Sequence, residues 1–315
     1  MSDAKVPIQD AVPALEAAGL TPRVIRPPAA RERYYDESTV IVCPTRRTKF
    51  CAECGLSTVD AEEKCACGAV IGGKIDFQVL DSWMGLVAPM NQNREGPIFA
   101  LEHRYGKTSE QLVQRDGPLL AVGYEVGRAY DALIEGILAA PGLKNHHYLM
   151  TVEDDNILPW DAQLKLLDSM HHARTKDGKP FDAVSGLYRT KEDAHIPLAF
   201  GDAAEYRRTG KVSFRPFDIA TVPPCAPCSD PSSGAEHDHV VEVLGIPMGC
   251  ALWKLSLFRE LPPPWFVTKQ NEYRARRNGT TQDLYFSQRC IEAGKRLGID
   301  RRVHVGHKDA DGAVY

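Results

Sequence analysis

An α/β fold, with strands alternating with helices, is the architecture this sequence predicts. Three observations predict it. At residues 148–172 an apolar, β-branched run from Tyr148 to Val152 meets three acids, and a helical pattern with Leu164, Leu167 and Met170 on one face follows Pro159. Residues 124–138 set Val126, Ala129, Tyr130, Leu133, Ile134, Ile137 and Leu138 at helical spacing. Short apolar or β-branched runs recur at 39–44, 181–189 and 240–253, and such alternation with helices is the signature of a layered α/β sheet.

The bulk numbers exclude several classes. The 315 residues suffice for one large domain or two ordinary ones. Hydrophobic content of 43% with 25% charged residues is that of a soluble globular chain. A net charge of −4 lacks the basic excess of a nucleic-acid-binding domain, although local patches stay open. No apolar run reaches the roughly 20 residues of a membrane span. The opening residues lack the charged-then-apolar pattern of a secretion signal, so a cytoplasmic location is expected. There, nine cysteines read as metal ligands or core residues rather than disulfides.

In chain order, residues 1–35 are rich in Ala and Pro and form an N-terminal arm without visible chemistry. Residues 39–44 make a short buried strand that ends at Pro44, with Cys43 as a core residue. Thr45, Arg46 and Arg47 follow, in a polar turn that suits a nucleotide base and phosphate or an ordinary strand end. Next comes an insert at 48–74. Cys51 and Cys54, then Cys65 and Cys67, form two thiol pairs with Gly55 and Gly68 just behind them. Glycine permits the backbone turn that aims amides at sulfur. Four thiolates at this spacing predict a closed tetrahedral zinc site, structural because no position is left open. Zinc there would pin a loop too poor in apolar residues to fold alone.

Phe77, Val79, Leu80, Trp83, Met84 and Leu86 suggest a helix packed on the sheet, and residues 96–102 suggest a strand. The helix from Tyr124 to Leu138 begins beside Gly123 and Gly127, where backbone can approach a phosphate, and Arg128 lies near that end. The same glycines also serve plain close packing. Glu153, Asp154 and Asp155 then close the central strand. Adjacent carboxylates held at a sheet's carboxyl edge repel one another, and a hard divalent cation, Mn²⁺ or Mg²⁺, relieves that repulsion.

Residues 200–240 read as a loop over the site. Cys225, Cys228, His237 and His239 within it could hold a second zinc, although the stretch is full of Pro, Ser and Asp. A short helix is expected over 254–261. Trp265 and Phe266 follow it, either exposed to stack on a sugar or buried. Thr280 or Thr281 caps an amphipathic helix that ends at Gly294. Asp283 falls in its first turn, where the helix dipole alone would explain an acid and where a general base would also be held rigidly. Residues 303–307 read as a short alternating strand. His307 could offer an imidazole to the same cation, although a lone histidine is more often structural.

Together these pieces resemble the GT-A superfamily of metal-dependent glycosyltransferases, close to the family-2-like enzymes of bacteria and phages. The resemblance spans residues 39–307. Residues 39–44 look like the first nucleotide-binding strand. Residues 123–130 are similar to the helix start that faces the nucleotide diphosphate. Glu153-Asp154-Asp155 resembles the DxD-type motif. Thr281-Gln282-Asp283 with Phe286 resembles the element that carries the base in inverting members, and Gly306-His307 the late metal-binding histidine. Glu153 in place of the motif's first Asp and Gln282 before Asp283 depart from the pattern, and so does the cysteine-rich insert.

The resemblance implies a GT-A domain over residues 36–315, built on a Rossmann-like mixed sheet flanked by helices. It implies a nucleotide-diphosphate sugar as donor and a hydroxyl acceptor, such as a glycan or a modified DNA base. Pro44, Thr45, Arg47, Gly123, Arg128, Glu153 and Asp154 would bind the donor. Glu153, Asp155 and His307 would hold Mn²⁺ or Mg²⁺, and Asp283 would act as base, with inversion if it works in line. Two rivals stay open: a nucleotidyltransferase on a related sheet, and a zinc-ribbon module that binds nucleic acid or protein.

Overall fold

Apolar runs become strands here because their residues can be buried on both sides. All five residues of Tyr148–Val152 are buried, and so are all five of Ala183–Leu187. The computed structural model describes residues 38–45, 49–50, 57–58, 77–84, 86, 98–100, 114–116, 119–122, 126–190, 196–219, 239–268, 281–308 and 314–315. The N-terminal arm, Arg47, Gly123, the zinc-binding candidates Cys51, Cys54, Cys65 and Cys67, and Cys225, Cys228 and His237 lie outside them.

The strands are β1 (Thr39–Thr45), β2 (Lys49–Phe50), β3 (Ser57–Thr58), β4 (Ile98–Ala100), β5 (Gln114–Asp116), β6 (Leu119–Val122), β7 (Tyr148–Val152), β8 (Asn156–Ile157), β9 (Ala183–Leu187), β10 (Phe200–Asp202), β11 (Val240–Gly245), β12 (Cys250–Lys254), β13 (Leu297–His304) and β14 (Gly306–His307). The helices are α1 (Phe77–Met84), α2 (Val126–Ala139), α3 (Ala162–His172), α4 (Ala203–Thr209), α5 (Leu257–Glu260) and α6 (Gln282–Glu292).

Ten strands form one mixed sheet in the order β10-β11-β13-β9-β12-β7-β1-β4-β5, with β6 also on β1. β1 runs parallel to β4, β6 and β7. β12 inserts antiparallel between β7 and β9, and β13 lies parallel to β9. The carboxyl ends of β1, β7, β9 and β13 therefore open on one edge, where ligands bind in open α/β sheets. The mixed sheet flanked by helices agrees with the fold class expected.

Alternation along β1 divides the core in two. Val40 and Val42 face a cluster with Leu133 and Ile134 of α2, and with Trp253 and Phe286. Ile41 and Cys43 face the other side, with Val79 and Trp83 of α1 and Leu164 and Leu167 of α3. The rings of Phe258 and Phe286 stack at 5.1 Å, and Phe266 meets Phe286 at 4.7 Å.

The structure decides one open alternative and corrects several local expectations. Trp265 and Phe266 are buried, and neither is exposed for stacking on a sugar. Their backbone N–H groups donate to Asp131 Oδ1 at 3.0 and 2.9 Å, which holds the turn against α2. Residues 200–219 are not simply loop, because β10 and α4 lie there. Asp202 caps α4 by accepting from Ala204 N, and Gly210 ends it in the left-handed region at φ 68°. The last long strand runs from Leu297, well before the alternation noticed at 303. The helix expected over 254–261 shrinks to Leu257–Glu260.

Candidate active site

The acidic loop leaves the carboxyl end of β7 and turns at once. Asn156 N donates to Glu153 O at 3.1 Å, which closes the turn around Asp154 and Asp155. The three acids are half-buried. Asn156 and Ile157 then pair antiparallel with His307 and Gly306 in the β8–β14 ribbon, and Lys308 N donates to Asp155 O at 2.8 Å. The ribbon is fastened further by two bonds between the backbones of His307 and Tyr315. A histidine 152 positions along the chain is thereby brought beside the acids.

His307 is held in a defined way. Its Nδ1 lies 2.8 Å from the carbonyl of Arg189. A carbonyl only accepts, so that nitrogen carries the proton and donates. The remaining nitrogen, Nε2, faces Asp155 Oδ2 at 3.6 Å. This distance is too long for a hydrogen bond. It is compatible with an ion about 2.1 Å from each atom. The bond to Arg189 is the kind of outer-shell contact that orients a metal-binding imidazole. The ring is steadied as well by an edge contact with Tyr188, centroids 5.5 Å apart.

Asp283 arrives from α6. Thr281 occupies the cap position without capping the helix backbone, and its hydroxyl favours the charged form of the Asp283 carboxylate. Leu284 N donates to Asp283 Oδ1 at 2.9 Å. The carboxylate keeps some accessible surface but sits deep among protein atoms. Burial pushes its pKa up from the ordinary carboxylate value, against the pull of those hydrogen bonds.

Two buried phenols tie the acids to one place. Burial first, then the charge of Glu153, pushes the hydroxyls of Tyr130 and Tyr188 well above their usual range. Asp283 acts on both as well, and Asp155 on Tyr188. Electrostatic influence of this kind falls off quickly with distance. Tyr130 and Tyr188 thus lie within electrostatic reach of both the acidic loop and the head of α6.

Pro44 and Thr45 are the last residues of β1, at the same sheet edge. Arg128 is exposed on the first turn of α2, with its guanidinium 3.9 Å from Glu135 farther along the helix. The structure brings Asp155 and His307 side by side, with His307 Nε2 3.6 Å from Asp155 Oδ2. Glu153 does not join them closely: among the described residues, no three His, Cys, Asp or Glu side chains cluster as metal ligands. His239 is buried, with Nε2 3.1 Å from Ser169 Oγ. Sequence reasoning missed Tyr188, Asn156 and Gly249 as neighbours of the site. Asn156 had a signal, since it directly follows the three acids. Tyr188 and Gly249 had none, because only strand pairing places them there.

No family model matches the chain, and no curated protein matches it. Among the solved structures that match is the crystal structure of A197 from STIV, at 10% identity and a TM-score of 0.47, with 88% of each chain covered. No helix among the described residues is long and apolar enough to cross a membrane.

Proposed function

We propose that this chain is a divalent-cation-dependent glycosyltransferase of GT-A type, moving a sugar from a nucleotide-diphosphate donor to a hydroxyl acceptor. The observation that carries the reading is the pair Asp155–His307, 3.6 Å apart at the sheet's carboxyl edge, with the imidazole proton directed away from the carboxylate. A carboxylate oxygen and an imidazole lone pair facing each other suit Mn²⁺ or Mg²⁺, so Asp155 and His307 would hold the cation. When bound, it supplies charge neutralisation for a departing diphosphate.

The protein's own residues do the rest. Glu153 and Asp154, on the same turn, would orient the donor's ribose, and the end of β1 at Pro44 and Thr45 would flank its base. Asp283 would accept the acceptor hydroxyl's proton as the oxygen attacks the anomeric carbon, while the bond to the diphosphate breaks. Its raised pKa makes it a stronger base than an ordinary carboxylate, and the bond from Leu284 N fixes its direction.

The test is a panel of nucleotide sugars with Mn²⁺, measuring binding and donor hydrolysis for the native chain and for Asp155→Asn and Asp283→Asn. Binding of one donor class only with Mn²⁺, with turnover lost in both variants, supports the reading. Unchanged turnover in both variants overturns it.

A further inference from the structure

Asp155 and His307 are two donors, whereas a hard divalent cation takes six or more, some of them from substrate and water. Among the described residues no third His, Cys, Asp or Glu closes on the pair. One uncharged side chain beside them does carry an oxygen. Asn156 is fully buried, and neither its Oδ1 nor its Nδ2 has a hydrogen-bond partner. Buried carboxamides are nearly always bonded, because an unmet one is costly.

Its place in the fold points to an occupant. The ribbon pairs Asn156 directly with His307, so the two side chains leave the same face. Asp155 is its neighbour in sequence. The Nδ2 end lies against Gly249: a Cβ there would come within 1.8 Å of it and 2.7 Å of Tyr188 Oη. Oδ1 is the end turned away from that turn. Both amide atoms have lost essentially all accessible surface, so neither admits a water. A hydroxyl or water sits about 2.8 Å from an oxygen. A divalent cation sits about 2.1 Å from one, closer than a water does.

We propose that Asn156 Oδ1 is a third protein ligand of the cation held by Asp155 and His307, a neutral oxygen that completes a hard donor set. Gly249 is a positioning residue, since only a residue without a Cβ leaves the amide where it lies. The proposal rests on the cation-dependent reading of the site.

The experiment titrates the full chain with Mn²⁺ alone, following free Mn²⁺ by electron paramagnetic resonance, and records thermal unfolding without metal. The variants are Asp155→Asn, His307→Ala, Asn156→Leu and Asn156→Asp. Asn156→Leu is expected to weaken Mn²⁺ binding ten-fold or more while the metal-free unfolding temperature holds or rises, because an unmet buried amide has gone. Asn156→Asp is expected to bind at least as tightly as the native chain. A packing role alone would lower the unfolding temperature and leave affinity unmoved. Native affinity in Asn156→Leu, or failure of Asn156→Asp to restore binding, overturns the proposal. If Asp155→Asn and His307→Ala lose binding and Asn156→Leu does not, only this ligand fails. If the native chain takes up no Mn²⁺, the cation-dependent reading fails with it.

Discussion

Among the described residues, two of the buried polar clusters are built oppositely. Under α3, Asp300 is fully buried, and every contact it needs is present. Arg302 donates to it from N, Nε and Nη2 at 2.8, 3.2 and 2.9 Å, and Ser169 Oγ at 2.7 Å. Arg302 also reaches Asp168 at 2.8 Å and Ser169 Oγ at 3.0 Å. Ser169 spends its one proton on Asp300, so the nearby His239 must donate from Nε2. At the sheet's carboxyl edge the pattern reverses. The carboxamide of Asn156 and the hydroxyl of Tyr130 are buried with no partner. A complete network fixes structure, whereas buried groups left unmet call for a further explanation, and a ligand is one. The contrast separates the cluster that holds β13 to α3 from the one at the sheet edge, whose unmet groups the proposed cation and donor would complete.

The largest test of that contrast is Asp283→Asn. Turnover is expected to fall by about 10²- to 10⁴-fold, the usual contribution of a general base. Stability should move the other way. A carboxyl whose folded pKa is raised adds stability only below its unfolded value, near 3.8, and loses it as pH rises through the folded value. At neutral pH the charged form is thus a cost that Asn removes. Thermal unfolding of the metal-free variant at pH 7 should be no lower than native. The rate of the native chain should climb with pH across a limb displaced above 3.8. A limb at the ordinary carboxylate position would count against Asp283 as base.

The complete cluster should behave in the opposite sense. Asp300→Ala leaves Arg302 facing Asp168 and Ser169 without its main partner. Breaking a buried charge pair costs about 3–5 kcal/mol, and part of Arg302 remains in water, so the lower end is expected. Chemical denaturation measures this. Protein that remains folded should keep its Mn²⁺ affinity. A variant with native stability but lost metal binding would merge the two clusters into one.

Asp131→Ala gives a smaller effect. The N–H groups of Trp265 and Phe266 lose their acceptor inside the aromatic cluster, at a cost of about 1–3 kcal/mol. A loss below this range in denaturant unfolding would mean that the turn is held by ring packing alone.

Asp131 also marks the limit of what the chain's pattern could disclose. Apolar spacing named the face of α2 correctly, including Leu133, Ile134 and Ile137, yet an acid on that face reads as a surface residue. Only the return of residues 265–266 from across the fold explains it. Asp300 conceals the start of β13 in the same way: a buried charge interrupts the apolar run, and Arg302, which neutralises it, lies on the same strand. The central strand, its acids and the helix carrying Asp283 were legible because each is local, a β-branched run or a 3.6-residue period. The partnership of Asp155 with His307 was only faintly legible, as a histidine after a glycine, and the resemblance strengthened it, since the pairing depends on the two-residue ribbon β8–β14. Asn156, Tyr188 and Gly249 were not legible as a set, because strand register alone juxtaposes them.

Tyr130→Phe is the smallest and most discriminating change. It deletes one oxygen from a fully buried residue and leaves the ring against Phe266, centroids 5.1 Å apart. That oxygen has no partner, so its loss should leave stability unchanged or raise it by about 1 kcal/mol, because the desolvation cost disappears and no bond breaks. In an ordinary core, removal of a bonded tyrosine hydroxyl destabilises by a similar amount. The sign of the change therefore decides whether the hydroxyl is structural. If stability holds and affinity for the donor falls, Tyr130 belongs with Asn156 among groups completed by a ligand. If stability falls, the hydroxyl serves the fold, and Tyr130 is packing rather than part of the site.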